Sequence, residues 1–419
     1  MPDQWWRAFD DAPLNRHVDE ALGSNLDLKV AWQRLREARS VVDRESASLF
    51  PDLEATADAE ARRGSERGAD TEQLQLGLRS SYEVDLWGRI RSRVDASRFR
   101  LRASTADYQT AALSLSAEVT RSWYRLLEAR SQLDLINDQI QTNRDVLRLI
   151  EARFGRGQTQ SADVLRQRQL LESTREQKLS IESRIQVLEH QLAVLLGQPP
   201  RSAVDQGQRA LPELPPLPET GLPVELVQRR PDVRRAYNRL KAADADLAAA
   251  VSNQYPRLTL NASLSTREDE ASDLFDNWAS AFAGNLVAPL IDAGQRDAEV
   301  ERSRSVRQQR LFEYGQTILT AFREVEDALI QEKKQRRRIE SLEEQLRLAN
   351  ATYKQLRLEY FNGVTDYIDV LNTLTDRQEL RRNLLSAELE LLEFRIALYR
   401  ALAGGFDTGR DTGEPSRNE

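Results

Sequence analysis

The chain has 419 residues, 40% hydrophobic and 30% charged, with a net charge of −7 and a mean hydropathy of −0.61. No run of about 18 apolar residues occurs, which excludes a transmembrane helix but not a transmembrane β-barrel, whose strands alternate and leave only a weak hydropathy signal. The absence of cysteine removes disulfides, thiolate metal sites and cysteine nucleophiles together, and the dispersed acidic charge lacks the basic stripe of a nucleic-acid binder.

Taken in chain order, residues 15–48 read as a helix, with Val18, Leu22, Leu26, Val30 and Leu35 near helical spacing and Pro51 as the stop. Residues 52–62 alternate, with Leu53, Ala55, Ala57, Ala59 and Ala61 against Glu54, Thr56, Asp58 and Glu60. After a loop holding Gly64 and Gly68, residues 73–84 alternate again, so 52–84 is a predicted β-hairpin. From Ile90 to Phe154 the pattern is helical without a proline, and Leu133, Ile136, Ile140, Leu147, Ile150 and Phe154 follow a spacing near 3.5, with polar Asn143 in the same register. Gly155 and Gly157 break this helix, and a return helix is expected over 162–196.

Residues 198–223 hold seven of the fourteen prolines and read as a stiff, extended connector. The order then repeats: a helix over 224–254, a hairpin over 257–288 with strands near 257–266 and 278–288, a long helix over 296–361, a break at Gly363, and a return helix over 365–403. The basic run Lys333 to Arg338 sits in a Glu-rich helix and reads as a solvated face. A polar tail, 404–419, is expected to be flexible. The repetition is audible in the residues. Phe154-Gly-Arg-Gly157-Gln-Thr159-Gln-Ser-Ala-Asp163-Val164-Leu165 returns about 206 residues later as Tyr360-Phe-Asn-Gly363-Val-Thr365-Asp-Tyr-Ile-Asp369-Val370-Leu371. The chain is therefore read as two structural repeats, 1–197 and 224–403. In each, one helix of roughly 100 Å lies beside two shorter ones placed end to end, with a hairpin at one end and a tight turn at the other.

Four strands in two separate hairpins leave unpaired edges. Two readings fit them: a soluble sandwich, or strands that several chains close into one barrel. Trp278, Phe282 and Leu286 on one strand suit a lipid-facing surface.

Tyr82-Glu-Val-Asp85-Leu-Trp87-Gly-Arg89 and Val287-Ala-Pro-Leu-Ile-Asp292-Ala-Gly294 resemble the hairpin exits of TolC/OprM-type outer-membrane factors. Leu49-Phe-Pro51, Gln254-Tyr-Pro256, Arg229-Arg-Pro-Asp-Val233 and both Gly-x-Thr-x-x-x-Asp-Val-Leu turns are similar too, over nearly the whole chain from Trp5 to Gly404. The resemblance, to the NodT-like lipoprotein branch, implies an α+β fold made mainly of long α-helices. It implies a homotrimer in which a 12-stranded β-barrel, four strands from each chain, is continued by a 12-helix α-barrel, with the connector at an equatorial belt. Such proteins are passive outer-membrane exit ducts of tripartite efflux or secretion systems for drugs or other small molecules. Their partners are a periplasmic adaptor (membrane fusion protein) and an inner-membrane transporter, they contact outer-membrane lipid, and most of their mass is periplasmic. They use no cofactor and bind no nucleic acid. Met1-Pro2 is read as a start that replaces a processed leader and its lipid-bearing N-terminal cysteine.

The same resemblance implies a gate at the periplasmic tip, where the return helices begin. Ile368, Asp369 and Asn372 take the constriction positions, Asp369 as a ring of carboxylates; Asn372 stands where some relatives carry a second Asp, so a weaker ring is expected. Tyr360 and Asp163 match latch positions and Thr365 stands where some relatives place Arg, which leaves a weaker latch or one shifted to Arg153 and Arg156. Gly155, Gly157 and Gly363 form the turns. Asp163 and Asp369 also fit plain helix-opening roles. The alternative to a channel is a soluble coiled-coil scaffold or periplasmic adaptor without a pore. An enzyme is the remotest reading, since His17 and His190 are the only histidines and show no ligand spacing.

Overall fold

Residues 4–62, 71–200, 210–218, 227–406 and 408 are described in the computed structural model. Gly64 and Gly68, much of the Pro-rich connector, the first residues of the helix expected from 224 and nearly all of the tail lie outside the described residues. The chain forms two compact units, one of Met1–Ala31, Tyr108–Pro231 and Leu319–Glu419, the other of Trp32–Asp107 and Asp232–Ile318.

The expected helix over 15–48 is two helices, α1 (Ala12–Ser24) and α2 (Leu26–Ala47). Asn25 divides them. Its backbone leaves the helical region at ψ 130° while its N–H still bonds Ala21, and its side chain accepts from the Leu28 amide at 2.9 Å. The same side chain donates to the Leu195 carbonyl at 3.0 Å, so one residue ends a helix, caps the next and ties both to a third segment. At the other end of α1, Asp11 caps Leu14 and accepts from the Trp123 indole at 2.9 Å. Beside it Trp5, Trp6, Phe9, Tyr399 and Phe406 form an aromatic core, with Trp5 stacked on Tyr399 at 5.7 Å. His17 packs on Trp123, 4.9 Å between centroids.

The long helices are α3 (Arg89–Phe154) and α6 (Gln295–Phe361), each without a proline to interrupt it; the return helices are α4 (Ser161–Leu195) and α7 (Tyr367–Leu402). In the second repeat, α5 (Pro231–Ser252) starts with Pro231, a position that needs no N–H donor. Within the first unit a buried ion pair joins α6 to α7. Arg395 and Glu332, both essentially inaccessible to solvent, meet through two bonds at 2.9 and 2.7 Å, and Arg336 adds two more at 3.2 and 2.9 Å. Arg395 also reaches the Pro215 and Pro216 carbonyls, fixing the connector against the helices. The basic run from Lys333 is largely solvated, but Gln335 turns inward and donates to the Ala387 carbonyl at 2.8 Å.

In the second unit, β1 (Asp52–Arg62), β2 (Thr71–Val84), β3 (Arg257–Glu268) and β4 (Ala279–Val287) make one antiparallel sheet in that order. The two hairpins are therefore not separate: β2 and β3 pair from Leu74↔Glu268 to Val84↔Leu258. The registers bring the alternation of all four strands into phase. Ala55↔Leu78, Leu78↔Leu264 and Ala262↔Phe282 lie on one face, and Glu54↔Arg79, Glu83↔Thr259 and Thr259↔Asn285 on the other. A slip of one residue in any pair would mix the faces.

Burial alone would raise the Glu332 carboxyl, yet the hydrogen bonds and charges of Arg395 and Arg336 outweigh it and hold it below the usual glutamate range. Its contribution to stability is complete above the unfolded-state value and is lost as pH falls through the lowered folded value. Arg395→Ala leaves Glu332 buried without its main partner and is expected to cost about 3–5 kcal/mol, read as a fall in Tm of the purified protein at neutral pH. Glu332→Gln is also expected to be less stable at neutral pH, but with a shallower loss of Tm on acidification than the wild type.

Candidate functional site

The two glycine turns have the same backbone design. In the first, Gly157 at φ 72° bonds back to Phe154 at 2.9 Å and the Gln158 amide to the Arg153 carbonyl at 2.9 Å. In the second, Gly363 at φ 73° bonds back to Tyr360 at 3.2 Å and the Val364 amide to the Glu359 carbonyl at 2.9 Å. Both are Schellman endings, in which a left-handed residue lets the chain satisfy the last helical carbonyls and turn. Glycine adopts that φ without the steric cost a Cβ would bring.

The restarts also match. Thr159 donates to Asp163 at 2.7 Å and Thr365 donates to Asp369 at 2.8 Å. The surroundings of the two carboxylates differ. Asp163 is buried, accepts weakly from the Gln160 amide at 3.3 Å and pairs with Arg166 at 3.3 Å. Asp369 is exposed and makes no ion pair among the described residues, so most of its acceptor capacity faces solvent. Asp163 reaches back to a backbone amide in a capping box, whereas the Asp369 carboxylate bonds only the Thr365 hydroxyl among the described residues.

The structure brings Tyr360, Asp163 and Arg153 together. The Tyr360 hydroxyl donates to Thr159 at a long 3.4 Å, and the Thr159 hydroxyl in turn donates a hydrogen bond to Asp163. The Arg153 guanidinium lies 4.6 Å above the Tyr360 ring and 5.6 Å from that of Phe361, held by aromatic faces rather than by a carboxylate. Ile368 is half-buried against an apolar cluster of Ile150, Val164, Tyr353, Val370, Leu371 and Leu374. Arg156 and Asn372 are exposed and join none of these contacts. Thr365 serves the second restart only.

Sequence reasoning missed what lies beneath. Tyr367 is buried, stands 5.6 Å from the Tyr360 ring, and donates to Gln167 Oε1 at 2.6 Å. Burial first, and then the nearby Tyr353, Tyr360 and Asp163, push its phenol above the ordinary tyrosine range, so it stays a neutral donor. Gln167 in turn donates to the Asn143 carbonyl at 2.8 Å. The Asn143 side chain donates to Thr174 at 2.9 Å and accepts from Gln378 at 2.8 Å. Asn143, Gln167, Thr174 and Gln378 are all buried, a polar layer crossing α3, α4 and α7. The one sequence signal for it was Asn143 standing in an otherwise apolar register. Nearer the middle of α3, Glu128 and Gln132 repeat the device, with Gln132 donating to the Arg382 carbonyl at 2.9 Å and Arg184 approaching Glu128 at 3.0 Å.

Comparison with known proteins gives concordant matches. The family model described as outer membrane efflux protein matches residues 17–198 and again 222–404. The pyoverdine export outer membrane protein OpmQ of Pseudomonas aeruginosa is 32% identical, over 97% of this chain and 88% of that protein. Among solved structures, the outer-membrane channel OprN superposes with a TM-score of 0.91 at 30% identity, covering 97% of this chain and 93% of its own. The outer membrane protein VceC of Vibrio cholerae does so with 0.89 at 26% identity, covering 97% and 100%.

The polar layer has a checkable energy. Asn143→Leu strands the donors and acceptors of Thr174 and Gln378 in the interior and is expected to cost about 1–3 kcal/mol. Adding Gln378→Leu removes a second member of the network, and the double variant is expected to be more stable than the sum of the two single losses predicts. Thermal unfolding of the three variants in one detergent measures both.

Proposed function

The chain belongs to the outer membrane efflux protein family, and from that premise we propose how this outer-membrane efflux channel works. Three copies form a passive duct for small molecules, built as a 12-stranded barrel continued by a 12-helix barrel. It receives its cargo through a periplasmic adaptor from an inner-membrane transporter. The protein sits in the outer membrane of a Gram-negative bacterium, with its helical body in the periplasm.

The observation that carries this reading is the two-faced sheet. β4 is exposed along its whole length, and Phe282, 76% exposed, and Leu286, 64% exposed, stand on the same face as the leucines of β2 and β3. An apolar face opposite a polar one, ending in two open edges at β1 and β4, suits a wall between lipid and water that neighbouring copies complete. A scaffold or adaptor without a pore has no use for such a sheet.

The gate reading is supported by the contrast between the two turns. Asp369 offers a solvent-facing carboxylate beside Ile368, and symmetry would set three of them around the axis, repelling one another and attracting cations. Asp163, buried and engaged, belongs with Tyr360 and Arg153 in a latch that holds the tip closed. The Tyr360 to Thr159 bond is long and the Arg153 contact is a cation–π contact, so the latch releases at modest cost. Opening would separate the α4 and α7 starts while the buried polar layer behind them stays paired.

Two outcomes are expected. Detergent-extracted protein should run as three chains, and a monomer that needs no detergent would count against the duct. In planar bilayers Asp369→Ala should raise conductance and weaken divalent-cation block about tenfold, equivalent to roughly 1.4 kcal/mol. A variant indistinguishable from wild type removes Asp369 from the gate.

A further inference from the structure

At the foot of the sheet, where β2 leads into α3 and β4 into α6, the second unit concentrates arginine. The acids there are already engaged. Glu83 receives Arg89 through two bonds, at 3.1 and 2.6 Å. Asp85 caps the Ile90 and Arg91 amides at 3.0 and 2.9 Å and binds the Arg91 side chain at 3.1 Å. Asp292 accepts from the Gly294 amide at 3.1 Å and from Arg296 at 2.7 Å.

Arg93 and Arg257 are left without a carboxylate at ion-pair distance among the described residues. Arg257 opens β3 and is half-buried on the polar face of the sheet. It donates to the Asn253 side-chain oxygen, while the Asn253 carbonyl is taken by Arg296 at 3.0 Å. A guanidinium has five N–H donors in a planar fork suited to two oxygens at once, so most of this one remains available. The charges acting on Arg257 are those of Arg89, Arg296 and Arg93, with Glu83 opposing them. On the same face of β1, Asp52 lies nearest the foot and accepts from the Ser81 amide at 2.6 Å; Glu54, Asp58 and Glu60 stand further away. The positive charge is thus a band and not the sign of the whole wall.

We propose that Arg257, its positive field reinforced by Arg93, forms an anion site on the wall of the duct, taking the carboxylate, phosphate or sulfate group of a molecule in transit. The proposal rests on the duct reading, which makes the polar face the pore lining and repeats the band three times. A half-buried guanidinium without a counterion attracts an oxyanion more strongly than an exposed one, because less water screens it. A band of such sites raises the local concentration of anionic cargo at the base of the barrel without enclosing it.

Inorganic pyrophosphate is a suitable probe. Titrated calorimetrically into the detergent-solubilised full chain, it is expected to bind wild type. Binding should weaken at least tenfold in Arg257→Gln and several-fold in Arg93→Gln, recover to within about threefold in Arg257→Lys, and stay unchanged in Arg302→Gln, whose arginine is an exposed partner of Glu299. Equal binding by wild type and Arg257→Gln, or no binding at all, overturns the site. Pyrophosphate should also reduce the single-channel conductance of wild type and not of Arg257→Gln. Binding without any conductance in wild type would leave the anion site standing and sink the duct. If anionic lipid vesicles compete for the site while pyrophosphate leaves an open channel unaffected, Arg257 meets headgroups, and the luminal assignment is wrong.

Discussion

In hydrocarbon a backbone N–H or C=O has no water to turn to, and each one left unpaired costs several kcal/mol. That constraint governs this chain. Its four strands satisfy one another across three ladders and then stop, leaving β1 and β4 with one side each unmet. A sheet with open edges is a liability in water and intolerable in lipid, so the protein is incomplete as a single chain. The in-phase alternation adds a second demand. With every leucine of β2 and β3 on one face and most of the charged residues on the other, only one curvature of the closed sheet puts each face in its own solvent.

The helical unit answers a different problem. Helices of this length slide easily along one another, because an apolar seam repeats and one register resembles the next. Polar residues placed singly in the seam remove that freedom. Asn143 meets Gln378 and Thr174 in only one alignment, and Arg395 meets Glu332 in only one. Such groups add little net stability, since desolvation offsets much of the attraction, but a shifted register would leave them buried and unpaired. Beyond the Asn143 layer, toward the glycine turns, the contacts become aromatic, long or exposed. Nearer the turns the specific ties are fewer, chiefly Tyr367 to Gln167 and Arg168 to Glu151, and the proposed opening would have only these to loosen.

Much of this was legible in the residues. The doubled glycine turn, the alternation in 52–84 and the absence of proline from the long helices depend on neighbours in sequence, and the elements formed where those patterns lie. What escaped depended on distant partners. Periodicity runs straight through Asn25, and only its bonds to Leu28 and Leu195 show why the helix breaks there. The β2–β3 ladder joins segments more than 170 residues apart, and no local pattern announces it. Asp163 and Asp369 occupy matching motif positions, but one is buried beside Arg166 and the other faces solvent. Tyr367 looked like an ordinary first-turn residue; its burial against Tyr360 and Gln167 gives the tip its floor.

The two glycine turns close their helices entirely through main-chain bonds, without help from the side chains between them. Exposed positions such as Arg156 and Val364 therefore carry little of the burden of folding. A lineage can alter the charge, size or stickiness of the tip by single substitutions and keep the hairpin that presents it. Such changes would leave the wall of the duct as inherited.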